Sequence, residues 1–280
     1  GELADPLNGK PGFRVPRRIR VSVLTADRAA LTEQIEKSIS DTAPELIQAY
    51  ESRRKEFVAF PPAELPVDVF ADDPQAELTP RPLDEIKTLL KGDLARARAN
   101  EEVETKFLAI KEGVMEPFSD AYAEALIRYE EAKQIDAEKA NTLPAPPIEE
   151  LKSFGLEDAL NKLSQTFGVA ETSLPIIHWL SFLLEKAAEK QGLKYEQSGL
   201  LASDKLEAFG PVGTAVVGQA SEAGSRTFLD QFFDPRSPLF EPVELSDASS
   251  RGFLTWKVED VPSYIPALKE VEPQVIFAIR

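Results

Sequence analysis

The side chains that most often carry chemistry are scarce in this chain: it has no cysteine and a single histidine, His178. Thiolate nucleophiles, disulfides and cysteine-ligated zinc are thereby excluded, as is any site that needs two histidines of this chain. His178 falls in Leu174-Pro175-Ile176-Ile177-His178-Trp179-Leu180, which predicts a histidine at a helix start with its ring satisfied. Carboxylates are abundant, and acid–base catalysis needs a pair whose surroundings push their pKa values apart. Glu101-Glu102, Glu130-Glu131 and Glu149-Glu150 instead fall in helical surface patterns and read as solvated faces. Asp72-Asp73 and Asp234 are of the type that binds a hard cation, yet no EF-hand or other ligand spacing surrounds them. Ser198-Gly199 and Gly224-Ser225 lack the nucleophile-elbow pattern. Gly210 to Gly218 reads Gly-Pro-Val-Gly-Thr-Ala-Val-Val-Gly, with neither a P-loop lysine nor dinucleotide spacing. That stretch predicts a loop in which two backbones approach closely. No catalytic residue, cofactor or metal ligand is expected.

What remains is binding. Phe228, Phe232, Phe233, Phe240 and Trp256 put aromatic surface in the last third of the chain, and Trp179 with Phe182 adds more. Most of it should be core. An exposed subset of Trp179, Phe182, Phe228, Phe232, Phe233 and Trp256 beside a sheet would hold extended client segments, by main-chain pairing and shallow apolar pockets.

Composition narrows the partners. Forty-eight acidic against thirty-two basic residues give a net charge of −16. Such a field repels phosphate backbones, so no nucleic acid is expected. The short basic clusters Arg17-Arg18-Ile19-Arg20 and Arg53-Arg54-Lys55 read as solvated faces of amphipathic elements. A hydrophobic content of 42% is enough for a core. No apolar run approaches the ~20 residues of a membrane span, and no signal-peptide pattern is present. The chain starts at Gly1, not Met, and stops inside Val275-Ile276-Phe277-Ala278-Ile279-Arg280. An excised piece of a longer protein is therefore expected, with any membrane contact made through a segment missing from it.

The elements that must position these residues can be read from periodicity. Ile19, Val21 and Val23 alternate with Arg18, Arg20 and Ser22, a half-buried strand with one charged face. Thr42-Ala43-Pro44-Glu45 fits a capping box with Thr42 as N-cap, opening a helix with Leu46, Ile47, Tyr50, Arg54 and Phe57 on one side. A proline-rich connector covers residues 61–82. From Leu83 to about Asn141 apolar residues recur at three- and four-residue steps, and Pro117 should break or kink the helix after Met115. The resulting pair of helices either projects as an arm or packs on the core. Beyond Leu143-Pro144-Ala145-Pro146-Pro147 come helices over Leu156 to Phe167 and Trp179 to Gln191, the second closed by Gly192. Lys194 to Ser198 predicts a short strand, Phe228 to Phe233 a short apolar helix, and Gly252 to Glu259 a terminal strand. The first and last strands are expected in one body, with the helical segment inserted between them. The fold class is α+β: a small twisted sheet flanked by helices, plus a long helical arm or hairpin. Three regions are expected: 1–78, a leader, strand and helix; 79–143, the long helical segment; and 144–280, an α+β domain.

The order of these pieces resembles a known family. Arg17 to Leu24, Ile47 to Phe57 with Tyr50, Lys55 and Phe57, and the closing Gly252 to Val258 are similar to the layout of SurA- and PpiD-type chaperone-foldases of the cell envelope. The run Leu184 to Leu193, a Gly-rich middle, Phe228 to Phe233 and the final strand resemble a parvulin-type prolyl isomerase domain. Parvulins resemble one another in a pair of histidines and a Cys or Asp around the bound proline, a set this chain cannot assemble. The resemblance implies a parvulin-like core that kept its scaffold and lost the isomerase site. It implies a non-catalytic chaperone-like protein of the periplasm or cell envelope that binds unfolded or extended polypeptide clients. Two further readings stay open: an assembly subunit of an envelope complex that docks a protein partner through its helical arm, and an active isomerase with an unusual site.

Overall fold

The structure, a computed structural model, describes residues 14–57, 80–140, 145–169, 174–218 and 225–266. The class is α+β, with nine α-helices among the described residues and one five-stranded antiparallel sheet. In chain order the elements are β1 (Arg18–Asp27), α1 (Arg28–Ser38), α2 (Pro44–Arg53), α3 (Leu83–Ile110), α4 (Glu116–Ala132), α5 (Ala137–Ala140), α6 (Leu156–Phe167) and α7 (Ile176–Gln191). There follow β2 (Lys194–Gln197), α8 (Ser203–Glu207), β3 (Val216–Val217), α9 (Phe228–Phe232), β4 (Val243–Ser246) and β5 (Arg251–Val261). Contacts divide the chain into a sheet unit, Gly1–Ala26 with Thr105–Arg280, and a helical unit, Asp27–Glu104. The boundary falls inside α3.

In the sheet unit the strand order is β2-β1-β5-β4-β3, so the first and last strands lie side by side and β5 is the middle strand. Their ends are joined further by backbone bonds in both directions between Val15 and Tyr264. One face of the sheet packs Ile19, Val21, Val23, Leu245 and Phe253 on Phe228, Phe232, Leu206 and Val212. Both faces of β5 are covered: every residue from Gly252 to Val258 is buried. The expected charged face of β1 is also covered in part, since Ser22 and Leu24 are fully buried. The reason is a second layer against β2: the Ser22 and Tyr195 hydroxyls are 3.1 Å apart, and Gln197 donates to Ser22 and to Ser181 of α7.

Local sequence explains most helix ends. Gly192 closes α7 in the left-handed conformation, φ 67°, where a glycine carries no Cβ penalty. The N-terminus of α7 has no cap of its own; Glu149 accepts from the Ile176 N–H at 2.6 Å, so this residue does more than line a solvated face. Between α3 and α4 a single π-helical turn, Lys111–Met115, carries the Glu116 N–H to the Lys111 carbonyl. Pro117 has no N–H to offer Gly113, and the chain absorbs the loss by widening the turn before it. Val114, Met115 and Phe118 thereby all face inward. Of the two arrangements open to it, α4 takes the packed one: the Phe118 and Tyr122 rings meet Phe240 edge-on at 4.9 and 4.8 Å.

In the helical unit Leu46, Ile86, Leu90 and Ala95 form a small core with Ile39 and Ala43. The capping box is not formed. With Pro44 as the first helical residue, the N-cap is Ala43, which has no side-chain bond, and Thr42 lies one position too early. Its hydroxyl pairs with Ser40, while Glu45 accepts from Arg98 at 2.8 Å. Ile47, placed on the inner side by periodicity, is exposed. The proline-rich connector lies outside the described residues, apart from its last residues.

Candidate functional site: an apolar groove over a buried ion cluster

The six aromatic residues expected to hold clients do not form one surface. Trp179, Phe228, Phe232 and Trp256 are core, none more than 1% exposed. Phe228 and Phe232 touch at 5.2 Å under the sheet with Phe233 packed beside them, and Phe233 is half-buried. Trp256, three positions along from Phe253, faces the other side and stacks on Tyr195. Trp179 donates its indole N–H to Ser164 at 2.8 Å. Phe182 alone of the six is exposed, at 37%, with Lys186 over its ring. His178 is exposed in the first turn of α7, not tied down there as expected.

The other candidates are accounted for by local bonding. Ser198 accepts from the Val21 N–H and donates to the Gly199 carbonyl, a backbone clamp. Asp234 accepts from Arg226 and from the Arg236 N–H; these bonds hold its carboxyl below the usual range. Asp72, Asp73 and Gly224 lie outside the described residues. Among the described residues no three His, Cys, Asp or Glu side chains are grouped as metal ligands, and no helix is long and apolar enough to cross a membrane.

The sheet unit contains a groove of about 730 Å³ that none of these residues suggested. One wall is α4, whose Ser119, Tyr122, Ala123 and Leu126 share a face by their i, i+3, i+4, i+7 spacing. The opposite wall is the loop from Pro235 to Leu239, and the end is formed by Pro262 and Ser263 after β5. The loop is pinned at both ends. Before it, Asp234 accepts two backbone N–H groups, from Arg236 and Ser237. After it, Phe240 sits at φ 64°, a strained conformation for a ring-bearing residue. It is held there by its N–H on the Lys257 carbonyl at 2.8 Å and by its ring on Phe118 and Tyr122.

At the base of the groove Arg17 meets Asp260 in a fork: Nε to Oδ1 at 2.8 Å and Nη2 to Oδ2 at 2.5 Å. Its Nη1 donates to the Phe233 carbonyl. Behind Asp260 lies Lys257, 1% exposed, whose Nζ donates to Oδ2 at 2.7 Å. Burial pushes the Asp260 carboxyl up, but the bonds and charges of Arg17 and Lys257 outweigh it and leave the group lowered. Burial also pulls the Lys257 ammonium down, against the opposing pull of Asp260. Tyr122 has no hydrogen-bond partner among the described residues; burial pushes its phenol up to about 12, so the hydroxyl is a donor at any ordinary pH.

Sequence reasoning missed Arg17, Tyr122, Lys257 and Asp260. Arg17 read as a solvated cation, whereas its side chain is 21% exposed and forked on a carboxylate 243 positions away. The available signal was Lys257 itself, the one charged residue in the run Phe253 to Val258. No protein-family model matches this chain, and neither a curated protein nor a solved structure matches it.

Proposed function

We propose that the protein is a non-catalytic, chaperone-like binding module of the cell envelope that holds extended segments of other polypeptides in the groove beside α4. The observation that carries this reading is the groove itself: an apolar channel of ligand-pocket size with walls fixed in advance. Fixed walls lower the ordering cost of binding an extended guest. Three prolines on the walls, Pro235, Pro238 and Pro262, have no N–H to pair with a guest strand. Contacts there are apolar, so the module reads shape and hydrophobicity more than sequence. The placement of β5 as the middle strand, next to β1, supports a parvulin-like scaffold. The chain's single histidine, exposed on α7, leaves that scaffold without paired histidines.

Ala123 gives a direct test because it lines the groove yet is exposed, so a large side chain there fills the channel without entering the core. Ala123→Trp should lower affinity for unfolded outer-membrane-protein segments at least about tenfold, roughly the cost of losing one good anchor. Its suppression of their aggregation should fall in step. Equal binding by the variant and the parent protein would sink the reading.

A further inference from the structure

We infer that the groove takes the C-terminal end of an extended apolar segment, with the terminal carboxylate received by Arg17 and the Tyr122 hydroxyl. This rests on the groove being the binding site. Its polar groups are almost all donors. Arg17 has five N–H groups, of which Nε, one on Nη1 and one on Nη2 are used by Asp260 and Phe233, leaving one on each Nη among the described residues. The Tyr122 hydroxyl has no partner among the described residues and stays protonated. Ser119 and Ser263 add hydroxyls that donate as readily as they accept.

The one carboxylate in the lining among the described residues does not reverse this balance. Asp260 spends Oδ1 on Arg17 Nε and Oδ2 on both Arg17 Nη2 and Lys257 Nζ. Two cations thus converge on one carboxylate at the base of the groove, in a chain whose net charge is −16. The remaining Arg17 N–H groups and the Tyr122 hydroxyl therefore select an anionic acceptor there, against the opposing charges of Asp234 on Lys257 and of Glu130 on Tyr122. Beyond that spot the walls are chiefly apolar, prolines with Leu126, Leu239 and Ala123, interrupted by three serines, so most of what adjoins the anion is apolar. A chain end meets both demands, because its carboxylate has main chain on one side only. An internal Asp or Glu would carry main chain past the prolines, which have no N–H, on both sides of the anion instead of one.

The experiment is fluorescence anisotropy on the whole chain with three fluorescein-labelled octapeptides of Leu, Val and Ala. One has a free C-terminal carboxylate, the second is its C-terminal amide, and the third is amidated with one internal Asp. The free acid should bind at least about tenfold more tightly than either other peptide, the usual scale of a charge-assisted pair. Tyr122→Phe keeps the ring on Phe240 and should cut that preference severalfold. Arg17→Lys keeps the charge but removes the fork, and should cut it to about twofold or less. Acid and amide binding alike to the parent protein would overturn the terminus assignment and leave the groove reading standing. Preference for the internal Asp peptide would overturn the terminus in favour of a side chain. Binding of none of the three would overturn the groove reading with it.

Discussion

Asp260 is the residue on which the floor of the groove depends, and its neighbours make its role testable. Removing one partner from a buried ion pair costs about 3–5 kcal/mol, because the charge left behind has no partner, whereas replacing the whole pair by apolar groups of similar volume is close to neutral. Asp260→Ala strands both Arg17 and Lys257, which are mostly buried, and should lower stability by about that amount in urea unfolding. Lys257→Met removes one cation and leaves Asp260 forked on Arg17, so its cost should stay below about 1 kcal/mol. The reverse order would mean that Lys257, not the fork, holds the carboxylate. The pH dependence separates them further. The folded pKa of Lys257 lies below its unfolded 10.5, so the unfolded chain binds more protons in that window. Stability should rise with pH from the folded value towards 10.5, and Lys257→Met should lack this slope. Asp260 is lowered from 3.8, so its contribution is present above that value and disappears as pH falls through the folded pKa. Arg17 and Asp260 were beyond reach of the sequence because nothing local marks a partner 243 positions away.

Among the elements, the glycine loop tests how backbone approach sets local structure. A Cβ on Gly213 would fall 1.9 Å from the Glu207 carbonyl oxygen, inside backbone that cannot swing aside. On Gly192 a Cβ meets nothing within 4 Å and only the left-handed φ opposes it. Gly192→Ala should therefore cost about 1 kcal/mol, and Gly213→Ala distinctly more, as a shift in thermal midpoint at least twice as large. Equal shifts would mean that the short helical turn over Pro211–Thr214 relaxes freely. Both glycines were legible: Gly192 by its place after an amphipathic helix, and the Gly210–Gly218 loop by elimination of phosphate-binding patterns. So were β1, β2, α6, α9 and β5, whose alternation or helical spacing is complete within a few residues. Strand β3, two residues long, is too short for a period to declare itself, and β4, no longer than β2, was not read as a strand. The Thr42 cap failed because Pro44 also competes to set where the helix starts. The groove was illegible because five separated segments of the described residues build it, one of them a loop held by the strained backbone of Phe240.

At the scale of the molecule, the sheet joins strands from opposite ends of the chain, while the helical unit is one continuous stretch. In hydrogen exchange monitored by mass spectrometry, β1 and β5 amides should open together at one free energy, since the two strands share the central ladder of the sheet. Deleting residues 14–26 should expose β5 amides while those of α2 keep their protection. Retained protection of β5 would show that β4 alone sustains it. The same adjacency sets a timetable during synthesis. At about 5–20 residues per second, Arg18 leaves the ribosome roughly 10–50 s before Arg251 exists to pair with it. Through that interval the nascent chain can close its helical unit, but the apolar side of β1 stays without its permanent neighbour. A protein proposed to shelter the unfinished segments of others must, while being made, pass through the state it is built to attend.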